Sequence, residues 1–485
     1  MTRLVDRATD KAFLRYRAKR QALWDKSATD PPSGDMSGYY HKRLVELYRF
    51  AVPDGMKVLE IGCGNGDLLA ALNPARGLGI DFSPAMVELA SIRNPELEIR
   101  CVDAHDFETQ ETFDVIILSD LFHDLYDVQA VLDRVAQASR PDTRIIINFY
   151  SRLWQAPLAL TRFLGLAKPL FQQNWLSLQD VSNLLHLSGM EIVSSSEEVL
   201  MPIKIPLLSQ LMNKVIVKLW PFRYFALSRL VVARPANAEL NSTDGREPSV
   251  SVIVPARNEA GHIQDILDRT PQMGAHTELI FVEGNSTDDT FDVIKRALEE
   301  RDDPSLYLYR QPGVGKGDAV RYGYSKATGD ILMILDADMT VAPEDLPRFY
   351  RAIRDGSGEF INGVRLVYPM ERQAMRFLNY LGNRFFGAVF SWLHKQPVKD
   401  TLCGTKVLTR SAYDVIAANR SYFGDFDPFG DFDLLFGAAK NNLKMVDMPI
   451  RYREREYGTT NIDRWSHGVL LLRMAVYAAR KLRFV

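Results

Sequence analysis

Residues 58–66 read Val58-Leu59-Glu60-Ile61-Gly62-Cys63-Gly64-Asn65-Gly66, a short apolar run that ends in alternate glycines. A branched, apolar run bounded by turn residues is the pattern of a buried strand, and glycines after it let backbone approach a ligand with no Cβ in the way. Asp81 stands nineteen residues after Gly62, at the end of the next apolar run, Gly77 to Ile80. A third acid, Asp103, follows the run from Ile99 to Val102. Further strands are expected at Phe113 to Leu118 and Arg144 to Phe149, with helical segments between them. Strands alternating with helices predict a parallel, doubly wound, Rossmann-like α/β sheet. Residues 1 to about 45 are basic and aromatic, ending in Tyr39-Tyr40-His41-Lys42-Arg43, and read as helices that precede the sheet.

The chemistry of the loop lies in its charge. Its spacing is G-x-G-x-G, because Asp67 occupies the place of the third glycine in the dinucleotide pattern G-x-G-x-x-G. Glu60 closes the strand with a carboxylate, which opposes a pyrophosphate and favours the ammonium and sulfonium of S-adenosylmethionine. An acid at position 81 is placed to accept both ribose hydroxyls. A glycine-rich turn with no ligand is the plainer alternative, and it leaves Asp81 and Asp103 without a reason.

Residues 58–67, together with Gly79-Ile80-Asp81-Phe82-Ser83-Pro84-Ala85-Met86, resemble class I S-adenosylmethionine-dependent methyltransferases over about residues 40–235. The resemblance implies that Glu60, Gly62, Cys63, Gly64 and Gly66 surround the methionine part, Asp81 and Phe82 the ribose, and Asp103 with Ala104 the adenine. It also implies that Ser119 and Asp120, at the end of the fourth strand, face the reacting centre. Methyl transfer needs mainly alignment of acceptor, methyl and sulfur. A hydroxyl acceptor needs a base as well, for which His123 is the first choice and His105, His41 and Asp124 are alternatives. Packing or capping at a helix start is an equal reading of His123, and core packing an equal reading of Tyr39 and Tyr40.

A polar stretch, Ala236 to Pro248, reads as a linker and divides the chain into residues 1–236 and 249–485. The alternation then restarts. Ser251-Val252-Ile253-Val254-Pro255-Ala256-Arg257-Asn258-Glu259 is a strand running into a polar turn, and the strand from Glu278 to Val282 leads into Glu283-Gly284-Asn285-Ser286-Thr287-Asp288-Asp289-Thr290. A third strand, Ile331 to Leu335, delivers Asp336-Ala337-Asp338. Carboxylates two residues apart on an extended chain point to one side. Hard oxygens so aimed suit Mg²⁺ or Mn²⁺ bridging a diphosphate.

These loops, in this order, resemble family 2 glycosyltransferases of the GT-A fold, especially the dolichyl- and polyprenyl-phosphate sugar transferases, over about residues 249–465. The resemblance implies that Pro255, Ala256, Glu259, Glu283, Asp288, Lys316 and Ala337 line the donor pocket, and that Asp336 and Asp338 hold the metal. It implies further that Arg455 and Thr460, in Arg455-Glu456-Tyr457-Gly458-Thr459-Thr460, close over the diphosphate. The lysine usual after that segment is Asn461 here, with Arg464 or Lys316 as substitutes. Transfer with inversion needs no base for a phosphate acceptor, and for a hydroxyl it needs Asp400, Asp431 or Asp433.

Composition sets the outer limits. With 59 basic against 61 acidic residues, nothing in the bulk charge points to a nucleic-acid partner. Three scattered cysteines form neither a disulfide framework nor a zinc site, and a reducing, cytoplasmic setting is expected. No charge-free run exceeds eleven residues, too short to span a bilayer. Peripheral contact with the inner face of a membrane is the reading of Arg372 to Lys395, where aromatic and aliphatic residues recur at helical spacing among cations, and of Gly468 to Val485. Core packing and domain capping are the alternatives for these two helices. The whole reads as a bifunctional enzyme taking S-adenosylmethionine and a UDP- or GDP-linked sugar, with a glycan or lipid-phosphate acceptor. The rival readings are an enzyme with one half reduced to nucleotide binding and a noncatalytic two-pocket sensor or scaffold.

Overall fold

A computed structural model describes residues 11–29, 35–163, 173–236, 246–368, 377–422, 432–452 and 464–485. The chain forms two compact units, Met1–Ala236 with Phe484–Val485, and Asn237–Arg483. Residues 237–245 of the expected linker lie outside the described residues.

The first unit holds β1 (Lys57–Ile61), β2 (Arg76–Asp81), β3 (Glu98–Cys101), β4 (Val115–Ser119), β5 (Arg144–Tyr150), β6 (Met190–Glu198) and β7 (Ser228–Pro235). They form one sheet in the order β3-β2-β1-β4-β5-β7-β6. The strands β1 to β5 pair in parallel. The sheet is nevertheless mixed, which corrects the parallel expectation, because β7 runs antiparallel to both β5 and β6. Val115 to Leu118 are buried, as expected of a strand covered on both faces by crossover helices. Helix Pro84–Arg93 starts under a Ser83 cap with proline in its first turn, and helix Val128–Gln137 starts under Asp127.

The second unit repeats the plan with β8 (Val250–Ala256), β9 (Thr277–Glu283), β10 (Leu306–Arg310), β11 (Ile331–Ile334), β12 (Phe360–Val364), β13 (Lys406–Thr409) and β14 (Met445–Pro449). The order is β10-β9-β8-β11-β13-β12-β14. Here β13 is the reversed strand, antiparallel to β11 and β12. In each sheet the first and fourth strands of the unit lie side by side and parallel, β1 with β4 and β8 with β11. Their outgoing connections diverge at that point, and the carboxyl edge beside such a divergence is where open α/β sheets take ligands.

Candidate functional site

In the first unit the loop after β1 carries three glycines in left-handed backbone, Gly62, Gly64 and Gly66 with φ of 76°, 50° and 76°. A Cβ on Gly64 would meet nothing within 4 Å, so this turn faces open space. Asp81 fixes the loop: one carboxylate oxygen accepts from Gly64 N at 3.0 Å and the other from Ser83 N at 2.9 Å. Burial pushes the Asp81 carboxyl up, against these bonds. Glu60 is buried, and its Oε2 has no hydrogen-bond partner among the described residues. Burial raises its pKa to about 8, and the charges of Asp81 and Asp67 act in the same direction. Asp103 is different. Burial disfavours its charge, yet His105 N at 3.0 Å, His105 Nδ1 at 2.7 Å and the Arg17 charge hold its carboxyl low. Ala104 packs against the core beside it. Cys63 is buried and its thiol is pushed up by that burial, so its contribution is packing under the loop.

Sequence reasoning gave no role to helix Lys11–Thr29, which touches the loops after β2, β3 and β4. Asp25 accepts from Ser83 Oγ at 2.5 Å, Arg17 lies 4.0 Å from Asp103, and Tyr16 donates to the Asp124 carbonyl at 2.9 Å. Arg20 stacks on Tyr16 at 3.7 Å and lies 3.5 Å from Asp124. The helix therefore crosses the ligand edge. The spacing of Phe13, Tyr16, Arg17 and Arg20 along one face was the available signal.

Beside this pocket the end of β4 is tightly fixed. Asp120 adopts φ of 50°, and its Oδ1 accepts from Asn148 Nδ2 at 2.5 Å and Tyr40 OH at 2.9 Å. Ser119 Oγ and Tyr48 OH donate to the Asn148 oxygen. His123 is buried and stacked on Tyr150 at 4.2 Å. Its Nε2 lies 3.8 Å from Asp120 Oδ1 and has no hydrogen-bond partner among the described residues. The helix-start reading of His123 is corrected, because the next helix begins at Val128 under Asp127. His105 is no base candidate: its Nδ1 meets Asp103 and its Nε2 faces Asp127 N at 3.2 Å. Asp124 pairs with Arg20, and His41 is exposed beside Tyr40. Of the two tyrosines, Tyr40 reaches Asp120 and Tyr39 instead meets Asn213.

In the second unit the loops after β8 and β9 are laced together. Asn258 N donates to Ser286 Oγ, Thr287 N to Asn258 Oδ1, and Glu259 N to Thr290 Oγ1. Glu283 accepts from Ser286 N at 2.5 Å, and Asp288 Oδ1 accepts from the backbone and hydroxyl of Thr290. Pro255 and Ala256 end β8, and Glu259 and Glu283 are buried. At the neighbouring end of β11, Asp336 pairs with Lys316 at 2.6 Å. Ala337 is buried, and Asp338 accepts from Thr340 Oγ1 at 2.7 Å. Burial, then the Asp336 charge, raises the Asp338 carboxyl. Gly404 closes the other side: a Cβ there would lie 1.8 Å from Asp336 Oδ2.

Two expected acids do other work. Asp400 is fully buried and bidentate with Arg365 at 2.7 and 2.8 Å, with Arg365 N and Leu402 N as further donors. Burial opposes its charge, but the guanidinium keeps its carboxyl low. Asp400 is thus corrected from general base to anchor of the loop leading to Gly404. Lys406 completes that anchor, donating to Asn362 Oδ1 and the Cys403 carbonyl. Asp433 is buried against Arg420 at 2.8 Å. Asp431, Arg455, Thr460 and Asn461 lie outside the described residues. So do Arg372 to Arg376 of the first expected interfacial helix, whose described helix is Phe377–His394. That helix has two faces, since Phe390 packs on Phe432 and Phe436 while Leu381 and Phe385 are exposed. Gly468 to Arg483 lies in helix Arg464–Ala478 and a following π turn whose Leu482 and Arg483 are buried, and Phe484 and Val485 follow it.

Among the described residues no three His, Cys, Asp or Glu side chains are grouped to hold a metal by themselves, and no helix is long and apolar enough to cross a membrane. Two carboxylates at a strand end still fit a divalent ion whose other ligands come from a diphosphate and water.

Comparison with known proteins gives two separate matches. Residues 36–195 match a methyltransferase domain family, and residues 251–416 match glycosyl transferase family 2. The glycosyltransferase AglJ of Haloferax volcanii is 29% identical over 217 residues, 44% of this chain and 67% of that protein. The undecaprenyl-phosphate 4-deoxy-4-formamido-L-arabinose transferase of Pseudomonas syringae pv. syringae is 31% identical over 111 residues, 22% of this chain and 33% of that protein. The alignments thus span from a third to two thirds of these relatives. A crystal structure of magnesium protoporphyrin IX methyltransferase from Synechocystis PCC 6803 with bound SAH is 16% identical, covering 46% of this chain and 96% of that one at a TM-score of 0.32.

The Asp400–Arg365 pair yields a test. Asp400→Ala and Arg365→Ala should each destabilise the second unit by about 3–5 kcal/mol in denaturant unfolding, since each leaves a buried charge alone. The double variant should cost less than the sum of the two, because they remove one interaction.

Proposed function

We propose that this chain, a methyltransferase domain joined to a family 2 glycosyltransferase domain, is a bifunctional transferase. In this reading the first unit methylates with S-adenosylmethionine, and the second moves a sugar from a nucleotide diphosphate to a lipid phosphate at the inner face of a membrane. The carrying observation is the pair of partly uncompensated acid sites at the two sheet edges, Glu60 with Asp81 and Asp336 with Asp338. Burial raises the carboxyls of Glu60, Asp81 and Asp338, and acids so held call for a cationic ligand.

S-adenosylmethionine supplies a methyl group activated by its sulfonium. Glu60 faces the ammonium and sulfonium end, Gly62 to Gly66 give backbone access, Asp81 takes the ribose hydroxyls, and Asp103 and Ala104 border the adenine. His123 Nε2 accepts a proton from the methyl acceptor, and Asp120, 3.8 Å away, stabilises the imidazolium. Tyr40 and Asn148 hold Asp120 in place.

A divalent ion at Asp336 and Asp338 supplies positive charge to the departing diphosphate. Lys316 adds a second positive charge beside it, and Glu259, Glu283 and Asp288 line the donor pocket. Arg455 and Thr460 cover the diphosphate in this reading. Asp400 and Asp433 are committed to arginines, which leaves Asp431 of the three acids for a hydroxyl acceptor; this reading takes an acceptor that arrives anionic and needs no base. The name of the Pseudomonas relative points to the same acceptor class, a polyprenyl phosphate.

Two outcomes test these assignments. Between about pH 4.5 and 8 Glu60 carries a proton in the folded chain that it lacks in the unfolded one, so it lowers stability as pH rises through that range. A cation beside it reverses that protonation. Binding of S-adenosylmethionine at pH 7 should therefore release close to one proton, measured by calorimetry in buffers of different ionisation enthalpy. Adenosine, or the Glu60→Gln variant, should release none, and equal release in all three removes Glu60 from the site. For the second unit, Asp338→Ala should abolish Mn²⁺-dependent turnover of UDP- and GDP-sugars while leaving S-adenosylmethionine affinity unchanged; surviving turnover rejects the metal assignment.

A further inference from the structure

The connection from β6 to β7 is built inside out. Helix Leu208–Lys214 and the short turns Ile216–Lys218 and Phe222–Phe225 make up about half of it. Asn213 is fully buried and binds Leu200 N, Met201 N and the Met201 carbonyl. Ser209 is buried, donating to the Ile203 carbonyl and accepting from Ile205 N. Lys218 is buried against Glu198. The outward side chains are apolar: Leu207 is 82% exposed, Trp220 74%, Phe225 59% and Leu211 50%. Among the described residues, nine of the 26 exposed large apolar side chains fall between Ile205 and Phe225. Such a cluster on a soluble surface marks an interaction face.

Charge identifies the partner. From Val199 to Ser228 there is no aspartate or glutamate, and the cations are Lys204, Lys214, Lys218 and Arg223. Lys204 is exposed, and Lys214 and Arg223 are half-buried. Arg223 also lies over the Tyr224 ring at 5.0 Å. The acid near this face, Glu197, acts on Arg223 and is bound by Arg229 at 3.0 Å, and exposed tryptophan, tyrosine and phenylalanine among cations, in a segment with no acid of its own, is the chemistry of an interface with anionic lipid. The segment Arg152–Trp154 is tied to this face by Trp154 Nε1, which donates to the Phe225 carbonyl at 2.9 Å, and it brings exposed Leu153 and a further cation, Arg152.

We infer that the β6–β7 connection of the methyltransferase unit is a docking surface for an anionic lipid bilayer. It belongs to a different unit from the two helices that the sequence offers for membrane contact. It also lies at the ligand edge, because Ser228, where the connection ends, pairs with Tyr150, the residue stacked on His123.

The test is co-sedimentation of the full chain with phosphatidylcholine vesicles, with and without phosphatidylglycerol, at low and high salt. The chain should sediment with the anionic vesicles and less so at high salt. Leu207→Gln/Leu211→Gln/Trp220→Gln should weaken that partitioning by about tenfold or more. Its melting temperature should stay unchanged, because these side chains are exposed. Leu381→Gln/Phe385→Gln, on the second unit, should leave a salt-dependent component. The inference is overturned if the parent chain stays in solution with anionic vesicles, if the triple variant binds as the parent does, or if the double variant alone removes all binding. It is also overturned if the chain forms a dimer that the triple variant dissolves while neither binds lipid, since the face then belongs to a second copy.

Discussion

The carboxyl edge of each sheet is marked by desolvated carboxylates at the ends of buried parallel strands. The side chains of Glu60 at the end of β1 and Asp338 just past β11 are excluded from most solvent, and burial raises the pKa of both. A strand end gives an acid few local donors, so its charge is balanced by another element or by a ligand. In the first unit the backbone of Gly64 and Ser83 serves Asp81 while Glu60 Oε2 stays without a hydrogen-bond partner among the described residues. In the second, Lys316 balances Asp336, and Thr340 takes up part of Asp338.

The direction of each shift separates two kinds of acid among those the sequence singles out. Glu60, Asp81 and Asp338 are raised, whereas Asp103 and Asp400 are held low by His105 and Arg365 against the same burial. Each of the low pair has a basic partner within the chain. Asp400 braces the loop that carries Gly404 to Asp336. Asp103 is braced by His105 and touched by the Arg17 side chain of the amino-terminal helix. The same contrast separates buried polar groups from exposed apolar ones in the β6–β7 connection, where Asn213 and Ser209 satisfy backbone inside and leucine and tryptophan face outward.

The reversed strands show how similar plans produce different sites. In the first sheet β7 returns from the β6–β7 connection and pairs with β5, which brings Ser228 beside Tyr150. In the second, β13 pairs with β11, so its preceding loop passes the acid pair. Neither reversal follows from hydrophobic alternation, because a strand buried on both faces has the same apolar run in either direction.

Much of this was legible in the chain itself. Apolar runs ending in acid, glycine or a proline turn located β1, β2, β4, β8, β9 and β11 to within a few residues, since burial on both faces demands such runs. Spacing also identified the glycine loop and the acid pair, and both family resemblances rested on them. What the sequence could not decide was the partner of each acid. Asp400 and Asp338 look alike in a string, and one is neutralised by Arg365, which lies 35 residues earlier, while the other is left desolvated beside a second acid. The contacts of helix Lys11–Thr29 with the loops after β2, β3 and β4, the stacking of His123 on Tyr150 and the outward face of the β6–β7 connection are likewise tertiary facts. Local pattern sets which residues form strands and turns, but charge compensation and exposure depend on groups brought together from distant parts of the chain.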